Sequence, residues 1–296
     1  MDKSFVDRLQ AGEILIADGA TATNYQQMGM AIGVAPEEWI LDEPEKVLGL
    51  HRAFVEAGSD IILTDTFGAT SLRLRESRYA GRAAELNRAA VALAREAAAI
   101  NPGVLVAGSM GPTGSLMEPL GELTPAAAGA AYAEQAAALT EGGVDLLLLE
   151  TFFALDEALA AIEGIRRTSG LPLVVSFSFD RGTRTMMGLS PTRVVEAIAP
   201  LDVAAIGANC GRSLEDMEQV VHEFASLRAG IPLWIKPNAG LPRMVGDVAH
   251  YDTAPAEMAE FARRFIDAGA QVVGGCCGSS PEHVRAIAAS LLVQPF

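Results

Sequence analysis

Three cysteines in 296 residues are too few and too odd a number for a disulfide framework. Two of them are adjacent, so metal binding or catalysis is the more useful reading of all three in a reducing compartment. Basic residues are scarce, 22 against 37 acidic ones, and they form no stripe. The electrostatic footprint of nucleic-acid binding is therefore missing, and a small-molecule substrate is expected instead. No apolar run approaches the roughly 20 residues that span a bilayer, so no membrane association is expected. The first residues, MDKSFVDRLQAGE, lack the apolar core of a secretion signal, and a cytoplasmic protein is expected. No Pro/Ser-rich linker, charge block or low-complexity tract divides the chain, which predicts one domain over residues 1–296.

What the sequence does hold is alternation. Short apolar runs recur at Ile14–Ala17, Ile61–Leu63, Val104–Ala107, Leu146–Leu149, Leu173–Ser176, Val203–Ile206, Leu233–Ile235 and Val272–Val273. Runs of Val, Ile and Leu without polar alternation are the mark of strands buried on both faces. Ala-rich helical stretches separate them, with Pro at the start and Gly near the end: Pro44 to Gly58, Pro125 to Gly142, Pro255 to Gly269, and a last one from Pro281. The stretches EAGSDIILTDTF, EGGVDLLLLETF and DAGAQVVGGCCG look like one unit repeated around a closed sheet. An open doubly wound sheet would also alternate, but ILIADGATATNY does not match the Gly-rich phosphate turn of that fold. The fold class predicted is α/β, a (β/α)8 barrel.

In such a barrel the residues just past each strand converge on one face, where the site is built. Those residues are Asp18-Gly19-Ala20, Asp65-Thr66-Phe67, Ser109-Met110-Gly111, Glu150-Thr151, Asn209-Cys210, Lys236-Pro237-Asn238 and Gly275-Cys276-Cys277. All three cysteines fall on that face. Only one strand separates Cys210 from the adjacent pair, so three thiolates can meet one tetrahedral zinc at about 2.3 Å and leave its fourth position open. An open position suits a catalytic zinc, because a thiol entering there loses its proton to the ion's charge. The glycines at 274, 275 and 278 would let two consecutive side chains reach one ion. The competing reading is that these are ordinary buried thiols or a vicinal disulfide.

Glu150 ends the run LLLLE, where a carboxylate needs a cationic partner: a substrate ammonium, or Lys236 as an internal ion pair. Asp18 would either contact a substrate amine or cap the turn near Thr21. His51, His222 and His283 sit in helical patterns, His250 lies in the long segment after the seventh run, and Met110, Met186 and Met187 read as packing groups. Ser109 and Ser178 have no recognisable base, which leaves a serine nucleophile without support.

The segments DGATAT, LTDTFGAT, GSMGPTG, ETF, GANC, KPNAGLP and GGCCG followed by SSPEHV together resemble the homocysteine S-methyltransferase family. Within it the likeness is greatest to the homocysteine-binding module of cobalamin-dependent methionine synthase. The resemblance implies a zinc-dependent enzyme with the metal on Cys210, Cys276 and Cys277, transferring a methyl group to homocysteine to form methionine. It implies that Glu150 and Asp18 hold the amino group of homocysteine, that Gly19 and Ala20 receive its carboxylate, and that Asn209 supports the site. The methyl donor would be a small molecule or a corrinoid carried by a separate protein. Betaine-using members place tyrosines where this chain has Gly68 and Thr151, which argues against a betaine-type donor, although Trp39, Phe67, Phe152 and Tyr251 offer other aromatic surface. A component passing methyl groups to a corrinoid protein and a non-catalytic zinc or thiol carrier are the alternative functions. Small outer helices leave self-association into a homo-oligomer open.

Overall fold

The computed structural model describes residues 3–227, 229–245 and 248–292. Its strands in chain order are β1 (Leu15–Ile16), β2 (Ile61–Leu63), β3 (Leu105–Met110), β4 (Leu146–Phe152), β5 (Leu173–Phe177), β6 (Ala205–Cys210), β7 (Leu233–Pro237), β8 (Arg243–Val245), β9 (Val248–His250) and β10 (Ala270–Val273). Eight of them form one parallel sheet in the order β1-β10-β7-β6-β5-β4-β3-β2, and a bridge between Ala17 and Ile61 joins its two ends. The molecule is a (β/α)8 barrel. The remaining two, β8 and β9, make an antiparallel hairpin after β7 that the apolar pattern does not announce.

The eight predicted runs coincide with the eight barrel strands, but β3, β4 and β6 continue past their apolar residues into Ser109, Glu150 and Asn209. Side chains alternate between faces along a strand. The inward set is apolar low in the barrel, with Leu105, Ala107, Leu146, Leu148, Val174, Ala205 and Trp234 in one buried cluster. Two residues further along the same strands it becomes Ser109, Glu150, Ser176 and Lys236, all buried. The barrel interior is thus sealed at one end and polar at the other. A short helix, Phe5–Gln10, closes the apolar end by placing Phe5 edge-on against Trp234, with ring centres 6.4 Å apart.

The helices begin and end where the Pro and Gly signals predict. Pro44–Ala57 stops at Gly58 with φ +104°, and Pro125–Gly142 starts from Thr124, whose hydroxyl accepts the Ala127 amide, and stops at Gly143 with φ +93°. Glycine takes that left-handed backbone without steric cost, which is why it ends these helices. No described helix is long and apolar enough to cross a membrane.

Candidate metal centre and substrate cavity

The polar end of the barrel opens into a cavity of about 580 Å³ lined by Gly19, Ala20, Glu150, Cys210, Lys236, Cys276 and Cys277 among others. The three cysteine Sγ atoms all lie within 4.8 Å of one another, and those of Cys210 and Cys276 are 3.1 Å apart. Four sulfurs bonded tetrahedrally at about 2.3 Å stand about 3.8 Å apart, so the donor set fits a zinc-sized thiophilic ion. Sulfur contacts from Cys210, then Cys276, hold the Cys277 thiol far below its usual range, and contacts from Cys276, then Cys277, push Cys210 up.

Backbone geometry delivers the sulfurs. Cys210 has φ +59° and Thr151, at the irregularity where β4 shifts register against β5, has φ +65°. A β-branched residue in that region is strained, and such strain persists only where the surroundings enforce it. Asn209 does so here: its Oδ1 accepts the Thr151 amide at 2.8 Å and the Ser176 hydroxyl at 2.7 Å, and its Nδ2 donates to Thr151 Oγ1 at 2.6 Å and to Cys210 Sγ at 3.5 Å. On the other side, the Cys276 amide donates to Pro237 O and the Cys277 amide to Asn238 Oδ1, fastening the adjacent pair to the end of β7. Gly278 turns with φ +81°, and a Cβ there would strike the Tyr251 ring at 2.2 Å. Gly274 and Gly275 instead permit close packing: a Cβ on them would meet Ala17 O at 2.8 Å and Ser279 Oγ at 2.3 Å.

Of the two partners expected for Glu150, Lys236 is taken by Asp18 instead. Lys236 pairs with Asp18, Nζ to Oδ1 at 2.7 Å, and the second oxygen of Asp18 accepts the Leu63 amide. Asp18 neither caps the turn at Thr21 nor lines the cavity. Glu150 lines it and takes a hydrogen bond from Ser109 Oγ at 2.5 Å. Burial raises the Glu150 carboxyl to about 7 against the attraction of Lys236. Lys236 stays charged although burial opposes it, because Asp18 and Glu150 both favour its ammonium form. One ammonium facing two carboxyls leaves room for a second cation at Glu150.

The remaining expected residues divide. Gly19 and Ala20 line the cavity, and a Cβ on Gly19 would hit the Phe54 ring at 2.7 Å; the Ala20 amide, however, already donates to Ser279 O. Asn209 spends its hydrogen-bonding capacity on the protein. Met110 is packed, whereas Met186 and Met187 are exposed and not the packing groups the sequence suggests, because they lie in the loop following β5 rather than in an element. His51, His222 and His283 are helical and His250 ends the hairpin. Of the aromatics, Phe67 lines the cavity and Tyr251 packs on the cysteine turn, while Trp39 and Phe152 face the core. Sequence reasoning passed over Glu37, a buried acid on the cavity wall from the short 3-10 helix Pro36–Glu38, and its motif PEEW carries no signal that could have found it.

A family model for homocysteine S-methyltransferase matches residues 15–291. Methionine synthases of Mycobacterium leprae and Mycobacterium tuberculosis are each 32% identical, aligning with 95% and 94% of this chain. The chain spans 24% of the length of each of those relatives. The metallated form of the homocysteine methyltransferase MmuM from Escherichia coli superposes with a TM-score of 0.81 at 26% identity, covering 95% of this chain and 97% of that one. A 3-dehydroquinate dehydratase from Clostridium difficile, at TM-score 0.51 and 10% identity, shares the fold alone. With the match running through every barrel strand and through all three cysteines, this chain belongs to the homocysteine S-methyltransferase family.

Proposed function

We propose that residues 1–296 form a single homocysteine-binding domain that transfers a methyl group to the thiolate of homocysteine, giving methionine, with zinc on Cys210, Cys276 and Cys277. The observation that carries this reading is the convergence of three sulfurs within 4.8 Å on the wall of a cavity that also holds Glu150. When bound, the zinc would supply the positive charge that lowers the pKa of the incoming thiol, which is otherwise about 8.5.

The chain's own residues do the rest. Glu150 is the carboxylate left for the substrate ammonium, since Lys236 is held by Asp18. Asp18 contributes to amine binding through that charge balance: with Lys236 neutralised, the excess negative charge falls on Glu150. The backbone at Gly19 is the place for the substrate carboxylate, and the Ala20 amide, engaged by Ser279, shapes that wall. Asn209 positions Cys210 and Thr151 rather than touching substrate. The reducing cytoplasm suits a site made of free thiols.

Metal analysis of the purified full chain tests this directly. About one zinc per chain is expected, falling to near zero in Cys210→Ala, together with methyl transfer to homocysteine from at least one of a panel of small methyl donors and methylcobalamin. A chain that transfers methyl groups at full rate after the metal is stripped would overturn the reading. Tight homocysteine binding with no product from any donor would favour a carrier, and transfer only in the presence of a corrinoid protein would favour the methyl-shuttling alternative.

A further inference from the structure

The hairpin that follows β7 ends beside the cysteines. Arg243 of β8 pairs with Asp252 across it at 3.1 Å. The Thr253 amide donates to Ala239 O, and the Ala239 amide donates in turn to Cys277 O. These bonds dock residues 251–253 on the cysteine turn. Gly278 omits the Cβ that would strike the Tyr251 ring, so the half-buried ring packs against the turn. From there the Tyr251 hydroxyl hydrogen-bonds Cys277 Sγ. A phenol titrates near about 10 even when unperturbed, keeps its proton at neutral pH and is therefore the donor.

Each of the three sulfurs thus has a donor from the protein. Asn209 Nδ2 donates to Cys210 Sγ at 3.5 Å and to Cys276 Sγ at 3.9 Å, and Tyr251 serves Cys277. Asn209 and Tyr251 both stand outside the cavity lining, whereas the three cysteines are part of it. The donors therefore reach the sulfurs from the protein side, and a substrate sulfur entering from the cavity meets neither. Thiolates gathered on one divalent ion are alike in charge and chemistry, so a methyl donor brought to the site meets four possible acceptors. Transfer to a cysteine would break the bond from the methyl carbon to its leaving atom, keep the electron pair on that atom and form a carbon–sulfur bond to Sγ. The cysteine would become a neutral thioether, and the set of three thiolates would be lost. A hydrogen bond to a thiolate engages the lone pairs that would attack, and bonds to charged groups are the strong ones.

We propose that Tyr251 protects Cys277 from methylation: its hydroxyl makes that sulfur a poorer nucleophile and leaves the substrate sulfur, which has no such donor, as the methyl acceptor. This rests on the homocysteine reading above, which brings the methyl donor to the cavity. Tyr251 acts through Cys277 and touches no substrate. Asn209 does the same for the other two sulfurs, but it also braces Thr151, so replacing it would disturb the backbone as well. Tyr251→Phe is the cleaner change, because it keeps the ring against Gly278 and removes only the hydroxyl.

The test is a timed exposure of the zinc-loaded full chain to methyl iodide without homocysteine, followed by peptide mapping in a mass spectrometer. Iodide is the leaving group, and each methylated cysteine gains one methyl in place of its charge. In Tyr251→Phe, methylation of Cys277 should run about 10-fold faster than in the parent chain, while Cys210 and Cys276 keep their parental rates. Zinc content before exposure should be equal in the two chains. Equal Cys277 rates would overturn the proposal, and so would a uniform rise at all three sulfurs, which marks a loosened site rather than an exposed sulfur. Loss of zinc from the variant would also overturn it, because Tyr251 would then be holding the turn. A parent chain that takes up no zinc would overturn the function proposed above together with this inference, so a zinc-loaded parent with unchanged rates identifies failure of the inference alone.

Discussion

Two carboxylates stand at the ends of β1 and β4, and their surroundings give them different work. Asp18 is fixed between Lys236 and the Leu63 amide; Glu150 takes a hydrogen bond from the Ser109 hydroxyl, feels Lys236 only through its charge, and faces the cavity. If Glu150 binds the substrate ammonium, its ionised form is needed, and burial places its titration at about 7. The sign follows: below that pH the carboxyl is neutral and the ammonium loses its partner. The KM for homocysteine is expected to rise as pH falls below about 7, with kcat changing less. Glu150→Gln should raise KM about 30-fold at pH 8 and abolish this pH dependence. A purely structural Glu150 would leave the shape of the KM profile intact, which steady-state kinetics across pH would reveal.

At the scale of elements, close approaches made by glycine set the geometry around the site. The helices Pro125–Gly142 and Leu155–Arg166 meet so closely that a Cβ on Gly164 would lie 2.2 Å from the carbonyl oxygen of Gly129. Alanine at 164 gains about 1 kcal/mol in helix propensity. Overpacking against backbone costs about 1–3 kcal/mol or more, because the neighbouring carbonyl has nowhere to rotate. The clash wins, and Gly164→Ala is expected to lower stability by about 1–2 kcal/mol in a urea titration. Unchanged or increased stability would show that the two helices slide apart freely. The turn at Thr151 works the other way: Asn209 holds a strained residue at the point where β4 hands the chain to the cavity wall.

For the molecule as a whole, acid stability should be governed in part by a histidine that the proposed chemistry does not use. His51 is buried in the helix Pro44–Ala57, and burial pushes its pKa down to about 4 against the opposing pull of Asp18. The unfolded chain, with a histidine near 6.5, binds the extra proton first. Stability attached to the neutral ring is thus complete above about pH 6.5 and is lost as pH falls toward 4, by about 3 kcal/mol over the window. His51→Gln should flatten that part of the stability curve, and equal pH slopes for parent and variant in denaturant titrations would contradict the assignment.

The sequence by itself determined the barrel, because eight apolar runs separated by helices with Pro starts and Gly stops have few other ways to be buried. It also determined which residues reach the mouth, since a strand's end is a position on the chain; Cys210, Cys276, Cys277 and Glu150 were legible for that reason. Tertiary structure decided what those residues do to one another. Lys236 chose Asp18 over Glu150, Asn209 came to brace Thr151 and Cys210, and the short 3-10 helix Pro36–Glu38 brought Glu37 to the wall that also holds Asp65. Pairing of charges depends on distances of a few ångströms between side chains 28 to 218 positions apart, and no periodicity along the chain encodes them.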